Sequence, residues 1–139
     1  MNNLENIVNK IDNLNQIKNS INSTIMGKNE FDLIYNAIKE RKKAEIKEIK
    51  KLYQATVDGG KTNIFHEKCD NIKNTLILYK SAGNRRFGAF ASKSWESKGQ
   101  PKVDEKCFLF SLDKKKFFLQ KMIIIISFLS ILSKVLVFY

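Results

Sequence analysis

The sequence predicts an α+β fold, with helices at the N-terminal end and short antiparallel strands clustered after them. Three observations carry that reading. Apolar residues recur at helical spacing over the first 28 residues and again from Phe31. From Leu52 onward the texture changes to short runs rich in Leu, Ile and Phe. Two of those runs flank a turn at Ala82-Gly83-Asn84, the arrangement of a hairpin.

The first helix carries Leu4, Ile7, Ile11, Leu14, Lys18, Ile21 and Ile25, spaced alternately by three and four residues. That is the a/d rhythm of a coiled coil, with Lys18 as a polar intruder. Asn is a poor helix former and three heptads are few, so self-association through this stripe would be weak. The same stripe also suits an amphipathic helix lying on its own domain, and Gly27 ends it. A second helix is expected from about Asn29 to Lys50. Phe31, Ile34, Tyr35 and Ile38 mark its inner face, Ile46 and Ile49 continue it less regularly, and Arg41-Lys42-Lys43 interrupts it. A short helix between Gly60 and Cys69 would turn Ile64, Phe65 and Cys69 inward. Thr75–Lys80 and 87–92 form the hairpin, and 107–112 is a third strand apolar enough to be buried on both faces.

The 139 residues give room for one domain, and 43% hydrophobic residues supply a core. One Pro and six Gly argue against a disordered or fibrous chain. The formal charge of +11 is uneven: bases and acids cancel over residues 1–30, whereas residues 59–121 hold fourteen bases against six acids. A basic middle suits nucleic acid, an anionic lipid surface or an acidic protein face, or is a solvated surface written in Lys. Met1-Asn2-Asn3-Leu4-Glu5 lacks the basic and apolar regions of a secretory signal. A cytoplasmic, reducing location is therefore expected, with Cys69 and Cys107 as packed free thiols. On that basis the Asn22-Ser23-Thr24 sequon is a chance match.

Candidate chemistry is thin. Ala55-Thr56-Val57-Asp58-Gly59-Gly60-Lys61-Thr62 fits a loose phosphate loop, in which Lys61 would reach phosphates and Thr62 a magnesium ion. Phe108–Asp113 imitates the apolar strand ending in a metal-bearing carboxylate. An NTPase would need a parallel sheet, and closely spaced antiparallel strands do not build one. His66, Cys69 and Asp70 fall within five residues, but one His and two Cys without a paired C-x-x-C make no structural zinc site. With His66 as the only histidine, no nucleophile has a credible base. Asp104-Glu105 reads as an ordinary turn. Tyr79, Lys80, Arg85, Arg86 and Phe87 interleave bases with aromatics, but a hairpin must send some of those rings inward, so nucleic acid is not the expected partner. No catalytic, cofactor-binding or metal residue is assigned, and the chain is expected not to be an enzyme.

The middle of the chain carries a family resemblance. Leu52-Tyr53-Gln54-Ala55-Thr56-Val57-Asp58-Gly59 and Phe65-His66-Glu67-Lys68-Cys69-Asp70-Asn71 are followed by Asn74-Thr75-Leu76-Ile77-Leu78, Phe87-Gly88-Ala89-Phe90, Ser94-Trp95 and Phe108-Leu109-Phe110-Ser111-Leu112. In order and spacing these blocks resemble the first part of a TLDc domain, over roughly residues 30–118, with a coiled coil before it as in protist versions. The resemblance implies two antiparallel sheets packed as a sandwich, and a binding or regulatory role without catalysis. It also implies protection against oxidative stress and, as partner, the vacuolar-type proton ATPase. Trp95 and the Phe87–Phe90 strand become core and turn residues, with Gly88 allowing close backbone approach.

Two departures stand out. Val57 occupies a position where the family usually has Arg, and the resemblance stops near Phe118, where glycine-rich strands would follow. The expected organisation is a coiled-coil-like helix at 1–28, a partial, truncated TLDc-like sandwich at 29–118, and a hydrophobic tail at 119–139. Three fates for the tail stay open. It packs into the gap of the half sandwich, it anchors in a membrane through 117–139, or it marks a truncated, non-functional product. For the anchor, Lys114-Lys115-Lys116 would hold one flank in the cytoplasm, and the alternative protein is a small tail-anchored one with a basic cytosolic face.

Overall fold

Helix α1 (Asn3–Ser20) starts where the Asn2 side chain accepts a hydrogen bond from the Glu5 amide at 2.8 Å, an N-cap that satisfies one orphan donor. In this computed structural model the described residues are 2–21, 23–96, 102–118, 122–124 and 135–138, the last two segments by backbone pairing alone. The heptad stripe of α1 divides in two. Leu4, Ile7 and Ile11 face solvent, at 69%, 48% and 53% exposure, whereas Ile21 and Ile25 enter the core beside Ile17, a residue outside the stripe. Ile21 and Ile25 lie past the helix end at Ser20 rather than in a helix running to 28. Lys18 has a structural reason to interrupt the stripe, since its ammonium pairs with Asp32 of the next helix at 3.0 Å.

That helix, α2 (Phe31–Lys42), buries Phe31, Ile34, Tyr35 and Ile38 as the spacing predicts, but it ends eight residues short of Lys50. Lys43 takes the left-handed conformation (φ 54°) and turns the chain out of the helix. The following extended segment is held by Tyr35 Oη donating to Glu45 and by the Asn13 amide donating to the Ile46 carbonyl. Ile46 and Ile49 thus reach the core from extended chain rather than from a helical face.

Strand β1 (Lys51–Gln54) is followed by the single turn α3 (Ala55–Asp58) and the short helix α4 (Thr62–Cys69). The hairpin is β2 (Thr75–Lys80) and β3 (Arg86–Ala91), in register from Thr75↔Ala91 to Lys80↔Arg86. Then come β4 (Lys102–Asp104), β5 (Phe108–Ser111), β6 (Lys116–Phe118), β7 (Met122–Ile124) and β8 (Val135–Phe138). The main sheet has the order β1-β8-β2-β3-β5-β6 with every neighbouring pair antiparallel, and β4 pairs with β7 in a second sheet. The fold is α+β, as the patterning indicates.

Strand alternation divides the core between the two faces. Leu76, Leu78, Phe90, Phe108 and Phe110 pack against α1, α2 and the link between them. Ile77 and Ala91 point the other way, under α4, with Tyr53, Phe65, Cys69 and Trp95. Phe65 is the centre of that second cluster, edge-to-face with Tyr53 and with Trp95 at ring separations of 5.6 Å. Of the stretch expected as a tail, Met122–Ile124 and Val135–Phe138 are strands, whereas 119–121, 125–134 and 139 lie outside the described residues. Among the described residues no helix is long and apolar enough to cross a membrane.

Candidate functional site

Each group that the sequence offers for chemistry can be followed to its partners. At the loose phosphate loop, the residues that would cradle phosphates are spent on local structure. Ala55–Asp58 is helical, Tyr53 Oη donates to the Gly59 carbonyl at 2.7 Å, and the Asp58 carboxylate accepts from the Gln54 amide and pairs with Lys68. The Gln54 hydrogen bond is the largest influence holding the Asp58 carboxyl below the usual range. Lys61 caps α4, which packs on β1, while Asp113 sits in the turn after β5 on the Arg86 guanidinium. The structure does not bring Lys61 and Asp113 into one site, and the strands around them are antiparallel.

His66 and Asp70 do meet, at 2.7 Å across one helical turn. Cys69 beside them is fully buried, and burial pushes its thiol up to about 12, so it stays protonated and unreactive at neutral pH. Cys107 is also buried and donates its thiol hydrogen to the Asp104 carbonyl. Among the described residues no three His, Cys, Asp or Glu side chains gather as a metal site. Neither thiol of the native chain should react with an aromatic disulfide reagent within the time that both react in denaturant; thiol release followed by absorbance checks this.

Asp104, which reads as part of an ordinary turn, is a different group altogether. It is fully buried, and its two oxygens accept four hydrogen bonds: Ser92 amide 2.6 Å, Lys93 amide 3.1 Å, Ser92 hydroxyl 2.7 Å and Lys106 amide 3.0 Å. Those four bonds use the acceptor capacity of a carboxylate, leaving nothing for a metal or a substrate. Burial by itself raises this acid, and the Ser92 hydroxyl with the three amides outweighs burial, so the carboxyl lies below its usual range. Asp104→Asn would set an amide NH2 against amide donors and should cost about 3 kcal/mol in urea unfolding. The sign of the pH effect follows from the depressed acid. The stabilisation is complete above the ordinary carboxylate range near pH 4 and is lost as pH falls through the lower folded value, so the wild-type advantage over Asp104→Asn should shrink below about pH 4.

The hairpin tip resolves the interleaved bases and aromatics. Tyr79 and Phe87 stack on each other at 5.3 Å, half-buried, and are not free to receive bases. Arg86 is committed inward. Its fork holds Glu30 by two bonds of 2.9 Å, its Nε holds Asp113 at 2.9 Å, and it also donates to the Ile25 carbonyl. Burial would raise the Glu30 carboxyl, but the Arg86 fork and the Gly27 amide bring it below its usual value. This guanidinium ties the start of α2 to two turns of the sheet, a role that the pattern Arg85-Arg86 does not reveal. Between the 44–50 segment and the sheet lies a cleft of about 390 Å3, lined by Ile38, Ile46, Ile49, Leu76 and Phe90 with Lys73 among the polar residues. Such a lining suits apolar contact.

A family model for the TLDc domain matches residues 19–125 of the chain. The chain belongs to the TLDc domain family. Among curated proteins it has no match. TLDc proteins are in general regulatory rather than enzymatic, with links to oxidative-stress resistance and to the vacuolar-type proton ATPase. The TLDc match begins at the last two residues of α1 and ends just past β7, taking in α2, α4 and strands β1 to β7. Gly88 behaves as the TLDc resemblance implies: a Cβ there would lie 2.3 Å from the Ile77 carbonyl oxygen and 2.4 Å from the Phe110 ring. Trp95 is a core residue and donates from Nε1 to Thr75 Oγ1 at 2.8 Å.

Proposed function

We propose that this TLDc chain acts by binding, without catalysing a reaction, and that its partner is the vacuolar-type proton ATPase, with protection against oxidative stress as a consequence. The observation that carries the reading is the family match across residues 19–125, which covers most of the folded elements. The arrangement of titratable groups supports it. Glu30, Glu45, Asp58, Asp104 and Asp113 each have a lowered pKa, and each is engaged by partners within the chain, including Glu30 and Glu45, which also line clefts. Shifted acids in an enzyme converge on the place where substrate sits, and these stay dispersed through turns and helix ends.

The test is a titration of purified vacuolar-type ATPase with the full chain, following ATP hydrolysis and the retention of peripheral subunits on the membrane. A saturable change in either supports the proposal. No change at chain concentrations well above those of the enzyme contradicts it.

A further inference from the structure

We propose that the end of the sheet formed by the turns at 81–85 and 112–115, with the open strip of strand beside them, docks on an anionic lipid bilayer. The two turns are neighbours because β3 and β5 pair and because the Leu112 amide donates to the Arg86 carbonyl. They bring Lys80, Arg85, Lys114, Lys115 and Lys116 to one end of the molecule. Among the described residues none of these five makes an ion pair. The acids there, Glu30 and Asp113, are both bound by Arg86. The two acids share one guanidinium and leave one negative charge against five positive, so a net excess of four positive charges remains and, apart from half-buried Lys80, is exposed.

Beside this charge lies exposed apolar surface. Leu109 and Phe118 are cross-strand partners on β5 and β6, at 38% and 52% exposure, and strand alternation places Lys116 on the same face as Phe118. Lysines next to an exposed Phe and Leu on a flat face match the chemistry of a bilayer surface, with diffuse negative charge over an apolar interior. Nucleic acid fits less well. The nearest aromatic pair, Tyr79 and Phe87, is stacked on itself, and the Arg86 fork that could grip a phosphate is filled by Glu30 and Asp113. This surface is independent of the ATPase reading.

Co-sedimentation of the full chain with vesicles tests it, using phosphatidylcholine alone and phosphatidylcholine with about one-third phosphatidylserine. The expected result is selective, salt-sensitive binding to the second. Replacing Lys114, Lys115 and Lys116 together by Gln should weaken it about 100-fold, since each such lysine contributes roughly a factor of five. Phe118→Ser should weaken it about tenfold, and Lys73→Gln, away from the two turns, should leave it unchanged. All these positions are exposed, so folding is preserved. Equal binding to both vesicles would overturn the proposal, as would an unaffected triple variant. Capture of a single-stranded oligonucleotide, lost in the triple variant while the vesicles stay unbound, would overturn it in favour of nucleic acid.

Discussion

Deleting residues 135–139 is expected to abolish cooperative folding. Strand β8 stands inside the main sheet, pairing with β1 through Tyr53↔Val137 and Gln54↔Leu136 and with β2 through Leu76↔Phe138 to Tyr79↔Val135. Without it β1 has no strand neighbour among the described residues, and β2 becomes an open edge. The elements that depend on β1 go with it. Tyr53 is one wall of the Phe65 cluster, and α4 packs on β1. A domain of this size has about 5–15 kcal/mol of net stability, and losing a central strand removes an amount of that order. Urea unfolding followed by far-ultraviolet circular dichroism should show a sigmoidal transition for the full chain and none for the shortened one. Matching midpoints would mean that β8 contributes nothing to the sheet.

Among the glycines of the described residues, Gly88→Ala is expected to be the most damaging substitution. The contact is with backbone: the added carbon would sit 2.3 Å from the Ile77 carbonyl oxygen, and Ile77 belongs to the adjacent strand β2. The Phe110 ring blocks the other direction at 2.4 Å, and Phe110 is itself packed near Phe108 and Phe117. Neither neighbour can withdraw without opening the sheet, so the cost should be about 3 kcal/mol or more. Gly83→Ala is the matched control. There the nearest atom is the Ser81 hydroxyl oxygen at 3.9 Å, and the midpoint of urea unfolding should move by less than the equivalent of about 0.5 kcal/mol. Equal effects at the two positions would show that the close approach at Gly88 is not what the chain needs.

Local patterns were readable where the residues concerned form their own element. The hairpin at 75–91, α4 with Phe65 and Cys69 turned inward, and the inner face of α2 all follow from spacing and turn chemistry. What escaped was decided by distant partners or by ambiguous composition. A helix stop is usually marked by Gly, and here a lysine, Lys43, takes the left-handed position instead. Asp104 looks like a solvated turn acid because its donors Ser92 and Lys93 lie about one strand away in sequence. The heptad spacing treats Leu4 and Ile25 alike, although the helix stops at Ser20 and only Ile25, beyond it, enters the core. An unbroken apolar run such as Val135–Phe138 reads as a membrane segment or a buried strand equally well, and strand pairing with β1 and β2 is what distinguishes them.

Legibility of the site was lower for a related reason. Binding surfaces have no obligatory residue pattern, whereas catalytic ones do, so the Lys61 loop and the grouping of His66, Cys69 and Asp70 are legible in the sequence although their contacts form no site among the described residues. The family resemblance carried the functional reading further than any single motif.

The central claim is that the folded TLDc chain binds the vacuolar-type ATPase. The most direct measurement is equilibrium binding of the full chain to immobilised ATPase, with the chain lacking residues 135–139 as the unfolded control. The account predicts saturable binding by the wild type and its loss in the control. Absence of saturable wild-type binding, or equal retention of the two, would contradict it.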